Sequence, residues 1–352
     1  MPRLEKHCLP KATLSRRTVL SAASAALLGA CEPRMPVTVS TTPKLDIDGL
    51  QRAVDGIAAA ARPGVLGVGL MNLESGQAFL FNADRPFPMQ SVFKLPLAAV
   101  AFAEIDAHRL AVAEPLTILE EQLSPQHSPI ALAWPGRRDY TIQALLEAVL
   151  VESDNTAADV LMKRIGGPGV VTAWLNTRRI LGVRVDRYER ELAADVYGMP
   201  PFRPAWRDPV AFAAARGAVP PQVRLAAMRR YMADPRDTAT PRGMLEFLQR
   251  LDRQELLSAD STRRLLALMG RTTRGNGRIR AGLPADAFLA HRPGTSGVDQ
   301  GLSTAHNDVG VFTLADRRSY ALAVFLSGAT LDDTGRDRVI AQVAAACVRA
   351  VG

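Results

Sequence analysis

Ser91 and Lys94 lie three positions apart in the run "MQSVFKLPLAAV", residues 89–100, so on a helix they share a face. A serine hydroxyl becomes a nucleophile when a base takes its proton, and a desolvated lysine can serve as that base. Composition singles this lysine out, because the chain has 5 Lys against 38 Arg. Arginine is effectively never deprotonated, whereas a buried lysine can be. A lysine in an apolar run of a lysine-poor chain points to proton chemistry. Pro96 is tolerated only in a helix's first turns. That places Ser91 at or close to the helix N-terminus, where backbone N–H groups can face a developing oxyanion. Alone, the pattern equally fits a helix cap followed by a lysine whose stem runs along the surface.

Two further stretches carry polar chemistry. In "VESDNTAADVL", Ser153, Asp154 and Asn155 follow an apolar helical run and open another. All three types also cap helices, so an N-cap cluster explains them as well. In "AHRPGTSG", a strand ends on the cation Arg292 and continues through Gly294, Thr295 and Ser296. Such an edge can pair with an extended substrate and hold its carboxylate; a plain turn between strands fits the same residues.

In this order the three elements resemble the SxxK, SDN and KTG elements of the penicillin-recognising serine hydrolases. A fourth element makes the resemblance one to class A β-lactamases over about residues 46–352. "VDRYERELAADVYG" is similar to the start of that family's Ω-loop, with Glu189 at its glutamate, and "DPRDTATP" to the loop's end. Arg187 and Asp237 match its loop-closing ion pair, and "QHSPI" at 126–130 resembles its "YSP" segment, with His127 at the tyrosine that gates substrate. The resemblance implies that Ser91 attacks a β-lactam carbonyl and is acylated. Lys94 and Glu189 share the proton transfers, with glutamate the base for deacylation. Ser153 passes a proton to the leaving nitrogen, and Asn155 holds the substrate's amide side chain and Lys94. Arg292 and Thr295, with Gly294 and Ser296 beside them, bind the carboxylate. The N–H groups of Ser91 and Thr295 form the oxyanion hole.

The chain departs from the family's pattern in four places. Lys-Thr-Gly becomes Arg292-Pro293-Gly294; arginine keeps the charge, but proline removes a hydroxyl and a backbone donor. The asparagine that helps hold the hydrolytic water is replaced by Ala193, and the gating tyrosine by His127. The Ω-loop, about residues 186–241, is far longer than the family's short crossing. Three activities follow as alternatives: a β-lactamase, a slow-turnover penicillin-binding lipoprotein acting as sensor or sink, and a D,D-peptidase or esterase on the same scaffold. Glu189 argues against the last.

The elements that must position these residues are legible from periodicity. "IDGLQRAVDGIAAAA" has helical spacing, and "GVLGVGLMNL" with "GQAFLFNA" reads as a hairpin turning at Glu74-Ser75-Gly76. Residues 141–182 read as helical apart from a break at 166–169, and 241–270 as two more helices. "DAFLAHRPG", "NDVGVFTLA" and "SYALAVFLS" read as strands, and 334–350 as a last amphipathic helix. Residues 193–233, rich in Pro, Ala and Arg, read as an inserted segment with short helical pieces. The expected fold is therefore α/β of the α+β type. An antiparallel sheet is built from N- and C-terminal strands and flanked by helices, a helical lobe is inserted, and the site lies between the lobes.

The remaining features bound the class of protein. "LSRRTVLSAASAALLGAC" reads as an export signal over residues 1–31, twin-arginine-like at Arg16-Arg17. "LGAC" resembles a lipoprotein cleavage box that would make Cys31 a lipidated first residue, with a plain signal-peptidase cut as the alternative. A tether follows over 32–46, and the expected location is the periplasm, with a membrane reached only through a lipid on Cys31. Five Lys+Arg against one Glu in the leader account for half the formal charge of +8. What remains is no nucleic-acid footprint. With Cys8 and Cys31 in the leader, Cys347 has no partner, so no internal disulfide is expected and a buried thiol is. The His spacing shows no zinc motif, and no cofactor and a monomer are expected.

Overall fold

The structure, a computed structural model, describes residues 44–124 and 126–351. The leader, Cys31 and the tether up to residue 43 lie outside the described residues. Five strands form one antiparallel sheet: β1 (Val65–Asn72), β2 (Ala78–Phe81), β3 (Phe288–Thr295), β4 (His306–Thr313) and β5 (Ser319–Ser327), in the order β2-β1-β5-β4-β3. Strands far apart in sequence meet where β1 pairs with β5, from Val65 opposite Ser327 to Asn72 opposite Tyr320. The β1–β2 hairpin turns through Gly76 at φ 74°.

Alternation in β1 assigns its two faces. Leu66, Val68 and Leu70 pack with Leu50 and Val54 of the first helix, α1 (Ile47–Ala60), and with Ile340, Val343 and Cys347 of the C-terminal helix Asp333–Val351. Gly67 and Gly69 point the other way, where a Cβ on Gly67 would collide with the Phe87 ring and one on Gly69 would lie 2.8 Å from Leu245. Small residues there let the helical side approach the sheet closely. Cys347 is buried, and desolvation pushes its thiol up to about 12. Leu45 and Asp46, assigned to the tether by composition, are held. Leu45 is buried, and the Asp46 N–H donates to Ala350 O at 2.9 Å.

The helical lobe lies between the strands in sequence. The run after Phe93 forms α2 (Lys94–Asp106), buried on all sides from Lys94 to Phe102. Residues 141–182 contain a second break beyond the expected one. Helix Ile142–Glu147 ends in a wide turn over Ala148–Glu152, Ser153 is left-handed at φ 63°, and α3 (Asn155–Arg164) starts on Asp154 as N-cap. The inserted segment folds as α4 (Glu189–Tyr197), α5 (Pro209–Gly217) and α6 (Pro221–Ala233). It has an apolar cluster of its own, which includes Leu192, Tyr197, Phe212, Met228 and Tyr231. Helix α7 (Pro241–Asp252) then packs on β1 and β5, and α8 (Ala259–Gly270) leads towards β3.

Candidate active site

Gln90–Phe93 form one tight turn that runs directly into α2, so Ser91 stands at the helix entrance and Lys94 one turn on. Because α2 is the buried central helix, its single lysine is wholly enclosed. Lys94 Nζ donates to Asn155 Oδ1 at 2.5 Å and to Ser153 O at 2.8 Å, and lies 3.3 Å from both Ser91 Oγ and Ser153 Oγ. The Ser153 hydroxyl is 3.1 Å from Ser91 Oγ. Burial pulls the ammonium down to about 8, against the nearby Glu189 carboxylate, which favours the charged form; Arg292 lowers it further. The neutral amine is thus accessible near physiological pH, next to two hydroxyls.

The break after Glu152 gives Ser153 its place. A left-handed residue with a side chain costs on the order of 1–3 kcal/mol, and its neighbours hold it there. Asp154 Oδ1 accepts from Ala157 N at 2.8 Å and from Ser128 Oγ at 2.9 Å, and its Oδ2 accepts from Ile130 N at 2.8 Å. Asp154 is therefore an N-cap and also the clamp that ties this turn to the 126–130 loop. In that loop, His127 Nε2 lies 2.8 Å from Glu152 O and 3.1 Å from Arg274 Nη1, and desolvation lowers its pKa.

Glu189 opens α4 and is buried. Its N–H donates to Asp159 Oδ1 at 2.7 Å, which fixes the start of the Ω-loop helix against α3, and its Oε2 has no hydrogen-bond partner among the described residues. Burial raises its pKa, while Lys94 opposes the rise, so the carboxylate is a stronger base than an exposed one. Arg187 Nε lies 2.5 Å from Asp237 Oδ2, closing the loop's base, and Arg187 Nη1 also reaches Asp195 at 2.6 Å and Asp234 at 3.3 Å. Ala193 is buried and lines the cleft beside Glu189.

The edge strand β3 forms the opposite wall. Gly294 is required by contact, since a Cβ there would collide with Met89 O and stand 3.0 Å from Val92 N. Arg292 is fully buried behind the site rather than lining it. Its Nε donates to Ser91 O at 3.0 Å, its Nη1 to Leu150 O at 2.9 Å and its Nη2 to Ser153 Oγ. Thr295 is exposed at the cleft. Ser296 turns its hydroxyl away to accept from Thr304 N at 3.0 Å and Ala305 N at 3.1 Å. Pro293 lines the cleft on an edge strand, where a missing donor is tolerated.

These groups surround a cleft of about 470 Å³. Two cations that line it are not singled out by the sequence reading. Arg278 Nη2 donates to Thr295 Oγ1 at 2.6 Å, while its Nε pairs with Asp337 at 2.9 Å and its Nη1 donates to Asn307 O at 2.8 Å. Arg274 stands beside His127. In a chain with 38 Arg neither residue type nor spacing marks them; only their position between α8 and β3 does. Leu192, Val196 and Tyr197 of α4 add an apolar wall. Among the described residues no group of three or more His, Cys, Asp or Glu gathers as a metal site, and no helix is long and apolar enough to cross a membrane.

The family model described as "Beta-lactamase enzyme family" matches residues 49–351. The chain belongs to the β-lactamase enzyme family, in its class A serine branch. Among curated relatives, β-lactamase VEB-1 of Pseudomonas aeruginosa is 28% identical over 79% of this chain and 83% of its own length. The carbapenem-hydrolyzing β-lactamase KPC of Klebsiella oxytoca is 30% identical over 82% and 85%. Among solved structures, a β-lactamase from Chitinophaga pinensis superposes with a TM-score of 0.72 at 30% identity, covering 86% of this chain and 99% of that one. An ancestral class A β-lactamase gives 0.69 at 29% identity, covering 86% of this chain and 99% of that one. The antiparallel sheet flanked by helices is the architecture that the ancestral class A structure shares with this β-lactamase-family chain.

Proposed function

We propose that the chain hydrolyses β-lactams in two steps through an acyl-enzyme on Ser91. In acylation, Ser91 Oγ attacks the lactam carbonyl carbon as its proton passes to the neutral Lys94 amine. The C–N bond breaks, and the ring nitrogen takes the Ser153 hydroxyl proton, which Lys94 replaces. In deacylation, Glu189 removes a proton from water, the resulting hydroxide equivalent attacks the ester carbonyl, and Ser91 leaves with its proton restored. The N–H groups of Ser91 and Thr295 stabilise the oxyanion. The observation that carries this reading is the enclosed Lys94 Nζ at 3.3 Å from both hydroxyls.

Arg278 and Arg274 supply the charge, and Thr295 a hydroxyl, that hold the substrate carboxylate at the mouth. Arg292 acts from behind, through the Ser153 hydroxyl. Asn155 fixes the lysine and binds the substrate's amide, and His127 stacks at the entrance. Steady-state hydrolysis of a β-lactam panel by the purified chain tests the reading: sustained turnover supports it, and no reaction with any member refutes it. One observation favours a slower variant of the same chemistry, because the apolar Ala193 beside Glu189 offers the hydrolytic water no hydrogen bond. A stoichiometric burst followed by little turnover is the result expected of that variant.

The leader's paired arginines and its "LGAC" box support export of the chain with a lipid on Cys31. The intact mass of membrane-extracted protein distinguishes this from a plain cut, since only the former adds acyl mass to a chain beginning at residue 31.

A further inference from the structure

The long segment inside the Ω-loop does more than border the cleft, because it sends one polar side chain beneath the nucleophile's turn. Tyr231, on α6, is buried, and its hydroxyl accepts a 2.9 Å hydrogen bond from Gln90 Nε2. Gln90 is the residue before Ser91, is itself buried, and sits at φ 47°. That left-handed torsion is unfavourable for a residue with a side chain, so surrounding contacts must hold it. The backbone just before it is held by Met89 N donating to Asp237 O at 3.0 Å and by Asn307 Nδ2 donating to Pro88 O at 2.8 Å and Met89 O at 3.1 Å. The Gln90 side chain is held by Tyr231.

The peptide unit joining Gln90 to Ser91 carries the Ser91 N–H. The torsions of Gln90 therefore set where that donor points, and an oxyanion donor works only when aimed at the position the charge will occupy. Tyr231 is itself fixed on both sides. Its ring faces the Arg187 guanidinium at 5.5 Å, and Arg187 is paired with Asp237 at the loop's base. Burial pushes the phenol well above its usual pKa, so the hydroxyl stays protonated across the working range.

We propose that Tyr231 is a positioning residue for the oxyanion hole: through the Gln90 carboxamide it holds the Ser91 peptide N–H on the reacting carbonyl. Through Tyr231, which does not line the cleft, the insertion thereby contributes to the chemical step. The proposal rests on Ser91 being the acylated residue.

Tyr231→Phe in the full chain keeps the ring over Arg187 and removes only the hydroxyl. Losing an oxyanion donor outright lowers kcat about 10²–10³-fold, and a donor left in place but less well aimed should lose about tenfold. The expected result with a chromogenic cephalosporin is a kcat about tenfold lower with KM little changed. Gln90→Met, which removes the carboxamide at similar volume, should give a similar loss. The double variant should be no slower than the slower single one, because both changes break one link. Parental kcat in both single variants overturns the proposal, and so do losses that multiply in the double variant. If Tyr231→Phe folds poorly, Gln90→Met decides alone: parental kcat there is also contrary. Failure of the nucleophile reading looks different, since the parent chain would then form no covalent adduct at Ser91.

Discussion

Glu189→Gln is expected to leave Ser91 open to acylation by a penicillin and to stop release of the product. The buried Glu189 carboxylate has one oxygen without a hydrogen-bond partner among the described residues, and burial makes it a stronger base. Glutamine keeps the size and removes the basicity. A positioned general base contributes about 10²–10⁴ in rate, so turnover should fall by that factor. Acylation should survive, because Lys94 remains to take the serine proton. Removing the carboxylate also removes the charge that holds the Lys94 ammonium up, which leaves the amine more readily neutral. Mass spectrometry of the variant mixed with penicillin should show a one-to-one adduct that persists for many parental turnover times. Turnover at the parental rate would mean that Glu189 is not the deacylation base.

Ser91→Ala is expected to abolish covalent labelling entirely. Ser153 is the other hydroxyl beside Lys94, at the same 3.3 Å, so it is the only rival nucleophile in this cluster. Geometry separates the two. Ser91 lies at the entrance of α2 with its N–H at the tight turn, whereas Ser153 accepts a hydrogen bond from the buried Arg292. The Arg292 guanidinium ties up a lone pair of Ser153 Oγ and leaves that hydroxyl's proton free to give, whereas Ser91 Oγ faces Lys94 Nζ and Ser153 Oγ, of which the amine can take its proton. Intact-mass measurement after incubation with penicillin should show no adduct on Ser91→Ala, and kcat should drop by several orders of magnitude, as for loss of nucleophiles elsewhere. An adduct in that variant, mapped to Ser153, would reverse the two roles.

Much of the fold is legible because its signals are local. Alternation and punctuating Gly or Pro mark the hairpin and the three C-terminal strands, and their placement at both chain ends implies one sheet. Other features depend on contacts far apart in sequence. Apolar periodicity runs through Val149, Leu150 and Val151 with no sign that the chain must turn left-handed at Ser153. Composition makes 193–233 look irregular, yet its apolar residues meet in a cluster that supports three helices. Leu45 and Asp46 look like tether until the C-terminal helix supplies their partner.

The candidate site divides in the same way. Lys94 is conspicuous because lysine is rare, and the structure brings it within hydrogen-bond range of Ser91, Ser153 and Asn155. Arg292 is equally conspicuous, but sequence cannot show that its guanidinium turns inward to Leu150 and Ser153 while Arg274 and Arg278 face the cleft. Strand alternation gives the side of the sheet; only packing gives the partner.

The same scarcity of lysine makes the central claim directly measurable. The full chain has 5 Lys, so ¹³Cε-lysine labelling gives at most five side-chain signals to follow by NMR as pH is raised. The signal lost in Lys94→Arg is that of Lys94. It should titrate with a midpoint near 8, because burial disfavours the ammonium, well below the ordinary lysine value of about 10.4. If the Lys94 signal titrates near the ordinary value of about 10.4 instead, the amine keeps its proton at working pH and the proposed acylation chemistry is wrong.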